Sequence, residues 1–193
     1  MNICLVRHGV TDWVVAQKLQ GREDIPLNAD GIRDAREIAD ALAQFEWSVV
    51  VSSPLSRTRD TAEIIAKALG LGDVVIEPDF IERDYGKASG LTPEARKARY
   101  PDGQYEGLEP FESLQARIFS ALMRTVERYP NENIVVVAHG GAINSALSKV
   151  TGGAIGTGKT RLTPGCLNML AYEDGEWRVV FCNKMPDEII RTP

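Results

Sequence analysis

The chain is short of several things, and each scarcity removes a class of protein. Its apolar runs are brief: near the start, Ile3-Cys4-Leu5-Val6 meets charge at Arg7. That run is too short for a signal-peptide core, and no stretch approaches the roughly 18 apolar residues of a spanning helix, so a soluble cytoplasmic protein with no membrane partner is expected. Positive charge is not in excess. The 22 Lys and Arg are outnumbered by 27 Asp and Glu, a formal charge of −5. No global basic field draws the chain to nucleic acid or anionic lipid, so an anionic ligand must find a local basic pocket. The three cysteines, Cys4, Cys166 and Cys182, are odd in number, far apart and in apolar surroundings. They read as reduced, buried structural thiols rather than a disulfide framework or a zinc site, and no metal is expected.

What is present suits one globular domain spanning 1–193, since 193 residues with 44% hydrophobic and 25% charged side chains can bury a substantial core. Short β-branched runs at Ile3 to Val6, Val49 to Ser52, Val74 to Glu77 and Ile134 to Ala138 predict strands, and their continuous apolar character predicts burial on both faces. Between them, apolar residues at helical spacing predict helices over Gly31 to Phe45, capped near Asn28 or Asp30, and over Arg57 to Leu69. Further helices are predicted over Ser113 to Tyr129, started by Ser113 and stopped by Pro130, and over Ile143 to Val150. Cys166 to Tyr172 and Trp177 to Phe181, joined by Glu173-Asp174-Gly175-Glu176, read as a hairpin. The alternation implies an α/β fold with a mostly parallel central sheet and helices on both faces. The segment 84–110, rich in Gly, Pro and charge with a short helical stretch at Pro93 to Tyr100, reads as a lid or insertion. Oligomeric state is open, a homodimer included.

The rarest side chain is the most informative. Histidine occurs twice, each time at the carboxyl end of a predicted strand and before glycine: Val6-Arg7-His8-Gly9 and Ala138-His139-Gly140-Gly141. In open α/β sheets that edge is where ligands bind. Either motif alone also suits a histidine in an ordinary turn, but two placed alike beside arginines point to a site. Arg7 precedes His8. Arg57, in Ser52-Ser53-Pro54-Leu55-Ser56-Arg57, again stands where a strand gives way to a helix. Guanidinium forks match phosphate oxygens in pairs, and helix amino termini add N–H groups and partial positive charge. Arg59, one residue on in the helix, reads as surface. Three strand ends thus converge on one anion site.

The run Leu5-Val6-Arg7-His8-Gly9-x-Thr11 is followed in order by Gln20-Gly21-Arg22-x-Asp24-x-Pro26-Leu27, Ser53-Pro54-Leu55-x-Arg57-Thr58 and Glu82-x-Asp84-Tyr85-Gly86. With Ala138-His139-Gly140-Gly141, these resemble the histidine phosphatase superfamily, in the branch of the cofactor-dependent phosphoglycerate mutases and related small phosphatases. The resemblance runs from about residue 3 to about residue 181. It implies a three-layer α/β/α sandwich, phosphoglycerate mutase-like, acting on a small phosphorylated metabolite with no cofactor and no metal. It assigns His8 as nucleophile, Arg7, Arg57 and His139 as holders of the phosphoryl group, and Glu82 as general acid and base. Gln20 and Gly21 follow as phosphate or substrate contacts, and Gly140 as a backbone N–H donor near the phosphate. Read without the resemblance, Glu82 is a solvated surface residue. Departures bear on the choice of reaction. Val10, Val14 and Pro93 stand where polar substrate contacts are usual in mutases of this kind, which favours hydrolysis over mutase-type phosphoryl transfer. Arg83, Lys87, Arg96, Lys97 and Arg99 either meet a second anionic group or form a solvated face.

One competing motif remains. Gly153-Ala154-Ile155-Gly156-Thr157-Gly158-Lys159-Thr160 fits the phosphate-loop expression of nucleotide hydrolases. That loop needs a strand before it and a helix after it. Here a helical pattern precedes it and Pro164 follows soon after Thr160, so the segment reads as a Gly-rich loop.

Overall fold

The computed structural model describes residues 1–190. The chain runs β1 (Asn2–Arg7), α1 (Asp12–Val15), α2 (Ala29–Leu42), β2 (Val49–Ser52), α3 (Ser56–Ala68) and β3 (Val75–Ile76). It continues through α4 (Pro93–Arg99), α5 (Phe111–Arg128), β4 (Ile134–Ala138), α6 (Gly140–Val150), β5 (Leu167–Glu173), β6 (Glu176–Lys184) and α7 (Pro186–Ile190). The six strands form one sheet in the order β3-β2-β4-β1-β5-β6. The first four are parallel, and β5 and β6 are antiparallel.

The apolar runs explain this order. Every residue of β4 is buried, as are Ile3 to Val6 of β1, because these central strands are covered on both sides. Alternation divides them between two cores. Ile3, Leu5, Ile134 and Val136 pack with Leu114, Ile118 and Leu122 of α5 and Ile143 and Leu147 of α6. Cys4, Val6, Val135 and Val137 pack with Ile38 and Leu42 of α2 and Ala62 and Ile65 of α3. The result is the three-layer α/β/α sandwich. The β5–β6 hairpin turns through Asp174 and Gly175, both at positive φ (+50° and +85°), the conformation a tight two-residue turn requires.

Local side chains cap three of the helix starts, those of α1, α2 and α4. The Asn28 side chain accepts from Gly31 N (3.0 Å) and caps α2, and Thr92 caps α4 just ahead of Pro93. Several predicted boundaries are corrected. Helix α2 runs Ala29–Leu42 rather than from Gly31 to Phe45. Helix α5 begins at Phe111 after Pro110, so Ser113 lies inside its first turn rather than at its cap. Helix α6 begins at Gly140 rather than Ile143, which puts His139 at the N-cap position. The three cysteines are free thiols; Cys4 and Cys166 are buried, whereas Cys182 is half-exposed on strand β6 at the sheet edge.

The 84–110 segment is pinned where it leaves and rejoins the body. Glu109 N donates to Asp84 O (2.8 Å), Lys87 N donates to Glu106 O (2.9 Å), and Tyr85 pairs with Leu108. Residues 153–160 are turns, with neither a strand before nor a helix after. Lys159 Nζ donates to Gly153 O of its own loop, where a phosphate-binding lysine would face outward.

Candidate active site

Strands β2, β4 and β1 are neighbours, so their carboxyl ends deliver Ser53 and Arg57, His139, and Arg7 and His8 to one place. His8 is almost fully buried. Its Nδ1 lies 2.7 Å from the carbonyl of Gly9. A carbonyl only accepts, so Nδ1 carries the ring proton and Nε2 keeps its lone pair. Arg57 Nε approaches that Nε2 at 3.2 Å. Burial first, then the charges of Arg57 and Arg7, push the His8 pKa well below its ordinary value. The imidazole is therefore held neutral, with Nε2 facing two guanidinium groups.

Arg57 is completely buried, an unusual place for a permanent charge. Its fork donates to Glu23 O (2.7 Å) and Gly21 O (2.8 Å), and burial lowers its pKa to about 10. Arg7 donates to Leu162 O, while its buried Nε has no partner among the described residues. His139 is buried with its ring centroid 5.3 Å from that of His8. Its Nε2 lies 2.7 Å from Ser53 Oγ, and its buried Nδ1 has no partner among the described residues. Burial, then Arg57, His8 and Arg7, push its pKa well down. Taking Ser53 Oγ–H as the donor to Nε2 assigns the ring proton to Nδ1. Arg7 Nε–H and His139 Nδ1–H are thus donors ready for an anion's oxygens.

Glu82 is buried, in contrast to the surface position its charged context suggests. Its Oε2 accepts from Gly141 N (2.9 Å), and its Oε1 from Ala142 N (2.9 Å) and Arg83 N (2.8 Å). The carboxylate caps the amino terminus of α6, which offers unpaired amides and positive potential there. Arg22 Nε and Arg117 Nη2 both donate to the Glu82 carbonyl (3.2 and 2.9 Å), and Arg117 also donates to Ile81 O, Asp79 O and Glu109.

These groups line a cavity of about 620 Å³. Gln20 lines it with Oε1 held by Thr11 Oγ1 (2.7 Å). Gly21 also lines it, but its carbonyl is spent on Arg57, so its part is to position that guanidinium. The Gly140 backbone runs beside Arg7: a methyl group there would stand 3.5 Å from Arg7 Nε. Of the segment's cations, Arg96 alone reaches the cavity wall, together with the apolar Val14 and Pro93. Val10 does not; its N–H donates to Asp34 (3.0 Å) and its carbonyl accepts from Asn28 N (3.1 Å). Sequence reasoning missed Ser53, Tyr85, Arg117, Asn144 and Arg161. Ser53 and Tyr85 had a visible signal, the first in its place at a strand end beside Arg57 and the second in the motif that follows Glu82. Among the described residues no cluster of three or more His, Cys, Asp and Glu gathers as a metal site needs.

A doubly covered, mostly parallel sheet with two buried histidines, the buried Arg57 and the half-buried Arg7 at its carboxyl edge defines a phosphate-handling α/β enzyme. Residues 3–185 match the histidine phosphatase superfamily (branch 1), and the chain belongs to that family, as an enzyme of phosphate esters. It is 45% identical to an uncharacterized phosphatase, PhoE, of Bacillus subtilis, across 92% of this chain and 91% of that one. It is 35% identical to a metal-independent phosphoserine phosphatase of Arabidopsis thaliana, across 91% and 78%, and other relatives at about that distance are named probable phosphoglycerate mutases. The mycobacterial glucosyl-3-phosphoglycerate phosphatase solved with VO3 superposes with a TM-score of 0.86 at 25% identity, across 94% of this chain and 98% of that one.

Proposed function

We propose that the chain is a metal-independent phosphatase that hydrolyses phosphate monoesters of small metabolites through a phosphohistidine on His8. One observation carries the reading: Nδ1 of a buried, neutral His8 is tied to Gly9 O, which leaves the Nε2 lone pair facing a pocket of guanidinium and imidazole donors. In the first step Nε2 attacks phosphorus and the ester P–O bond breaks. The leaving oxygen takes its electron pair and a proton from Glu82. In the second, water attacks phosphorus and gives its proton to Glu82. The P–N bond breaks, its pair returns to Nε2, and inorganic phosphate departs. Arg7, Arg57 and His139 hold the equatorial oxygens, so the charge that builds up is met by groups already in place.

Hydrolysis is preferred to mutase-type transfer because Val14 and Pro93 stand on the cavity wall where mutases of this kind carry polar substrate contacts. Three free thiols suit a reducing compartment, and the cytoplasm is the proposed location. No described helix is long and apolar enough to cross a membrane. The test is hydrolysis of p-nitrophenyl phosphate in EDTA, with acid-labile phosphate followed by 31P NMR. Wild-type protein turns over without metal, and His8→Ala loses at least about a thousandfold in kcat along with the labile phosphate. Metal-dependent turnover, or activity surviving in His8→Ala, overturns the reading.

A further inference from the structure

The ion pair between Arg117 and Glu109 stands outside the active cavity, since neither side chain lines it, yet both reach the backbone of Glu82 and its neighbours. The pair is largely covered, with 15% and 11% of the two side chains exposed. Arg117 projects from α5 between Leu114 and Ile118, which are fixed in the core. All five of its N–H donors are used. Nε and Nη2 grip the two oxygens of Glu109 (2.7 and 2.8 Å), Nη1 donates to Asp79 O and Ile81 O (2.7 and 2.6 Å), and Nη2 donates also to Glu82 O (2.9 Å).

Glu109 closes the other side. Its N–H donates to Asp84 O (2.8 Å), its Oε2 accepts from Asp84 N (3.2 Å), and its carbonyl accepts from Arg83 Nε (2.9 Å). Burial raises the pKa of its carboxyl, but the hydrogen bond and charge of Arg117 outweigh burial and lower it, so the pair is charged. These contacts matter because residues 81–84 belong to no helix or strand. No ladder fixes the Glu82 backbone, and the α6 amides hold only the far end of its side chain. A proton donor must come within roughly 2.6–3.2 Å of the leaving oxygen, and a misplacement of about 1 Å costs on the order of a hundredfold.

Resting on the phosphatase reading above, we propose that Arg117 and Glu109 are positioning residues for Glu82: the pair anchors the Glu82 backbone to α5 and so sets the carboxyl group where it delivers and recovers the proton. Neither touches the substrate. Their removal therefore weakens protonation of the leaving oxygen and leaves attack by His8 in place.

Leaving-group dependence tests this, with kcat/KM, which reports the first step, measured for phenyl phosphate and p-nitrophenyl phosphate. Phenolate is the poorer leaving group and needs the proton more. Wild-type enzyme handles the two esters within about tenfold of each other. Arg117→Gln loses about a hundredfold on phenyl phosphate and less than about fivefold on p-nitrophenyl phosphate, the same kind of split that Glu82→Gln shows. Without Glu82 the pair has no acid to position, so Glu82→Gln/Arg117→Gln loses no more than about twofold beyond Glu82→Gln alone. If Arg117→Gln does not fold, Glu109→Gln decides the matter: it keeps the shape of the pair, removes one of its charges, and shows the same split with a loss of about tenfold on phenyl phosphate. Equal losses on both esters, or losses that multiply in the double variant, overturn the assignment and leave the phosphatase reading standing. A wild-type preference for p-nitrophenyl phosphate of about a hundredfold or more removes Glu82 as the acid, and the assignment with it. Absence of metal-free turnover by wild-type protein overturns the phosphatase reading itself.

Discussion

In the proposed mechanism Glu82 serves two purposes with one carboxylate. Three backbone N–H groups fix it, two of them at the start of α6, and Oε2, which accepts only one of them, keeps a further lone pair for a proton in transit. A cap is tested by stability, an acid and base by leaving-group dependence. In Glu82→Gln, hydrolysis of an alkyl phosphate, whose leaving group needs a proton, falls by about 10² to 10⁴. With p-nitrophenyl phosphate the first step survives and the second slows, so rapid mixing shows a burst of nitrophenolate and phosphate accumulates on His8. Equal losses for both esters with no burst would reduce Glu82 to a cap. The burial of this residue was illegible in its flanking residues, because its partners are amides of Gly141 and Ala142, far along the chain. Arg7, His8, Arg57 and His139 were legible, because an apolar run that ends at a charged residue marks a strand end. Gly21 was only half legible: its motif placed it at the site, but its contribution is a carbonyl, which no side-chain pattern reveals.

At the scale of elements, the site depends on how closely helix starts approach the catalytic loops. Gly31, in the first turn of α2, touches the turn after His8: a methyl group on it would stand 2.1 Å from Val10 O, and one on Gly9 would stand 2.4 Å from Gly31 O. Backbone on both sides leaves no side chain to rotate away. Gly31→Ala therefore destabilises by about 3 kcal/mol, the upper end of overpacking costs, and lowers kcat by displacing His8. Gly72→Ala is the control, since nothing lies within 4 Å of its added methyl group. Urea titration of both variants checks this, and a Gly31→Ala midpoint matching that of Gly72→Ala would show the contact to be slack. The helix itself was legible in its apolar spacing and in Asn28. Which glycine merely ends a helix and which admits another backbone was not, because both look alike in sequence.

For the whole molecule, the histidines link stability to pH. Folding holds both His8 and His139 well below their ordinary pKa. The sign follows from proton counting. Below about pH 6.5 the unfolded chain binds protons at these two positions and the folded chain does not, so stability is full above that pH and falls as pH falls. Each histidine contributes a slope of up to about 1.4 kcal/mol per pH unit between about pH 6.5 and its folded value, roughly 2.7 together. Urea unfolding at pH 7, 6 and 5 reads this directly, and His139→Asn removes up to half of the slope. A midpoint that stays flat over that range contradicts the buried, neutral state of the pair.

The sequence by itself determined the layers and the anion seat. Period-2 and period-3.6 patterns are local properties, and strand ends in a parallel sheet lie together whatever joins them. Tertiary structure decided the rest: the burial of Glu82, the positioning carbonyl of Gly21, and the grip of Arg117 on the backbone that carries Glu82. In each case the deciding contact is a backbone group or a side chain brought from far along the chain. Such contacts exist only once the sheet and helices have closed around them.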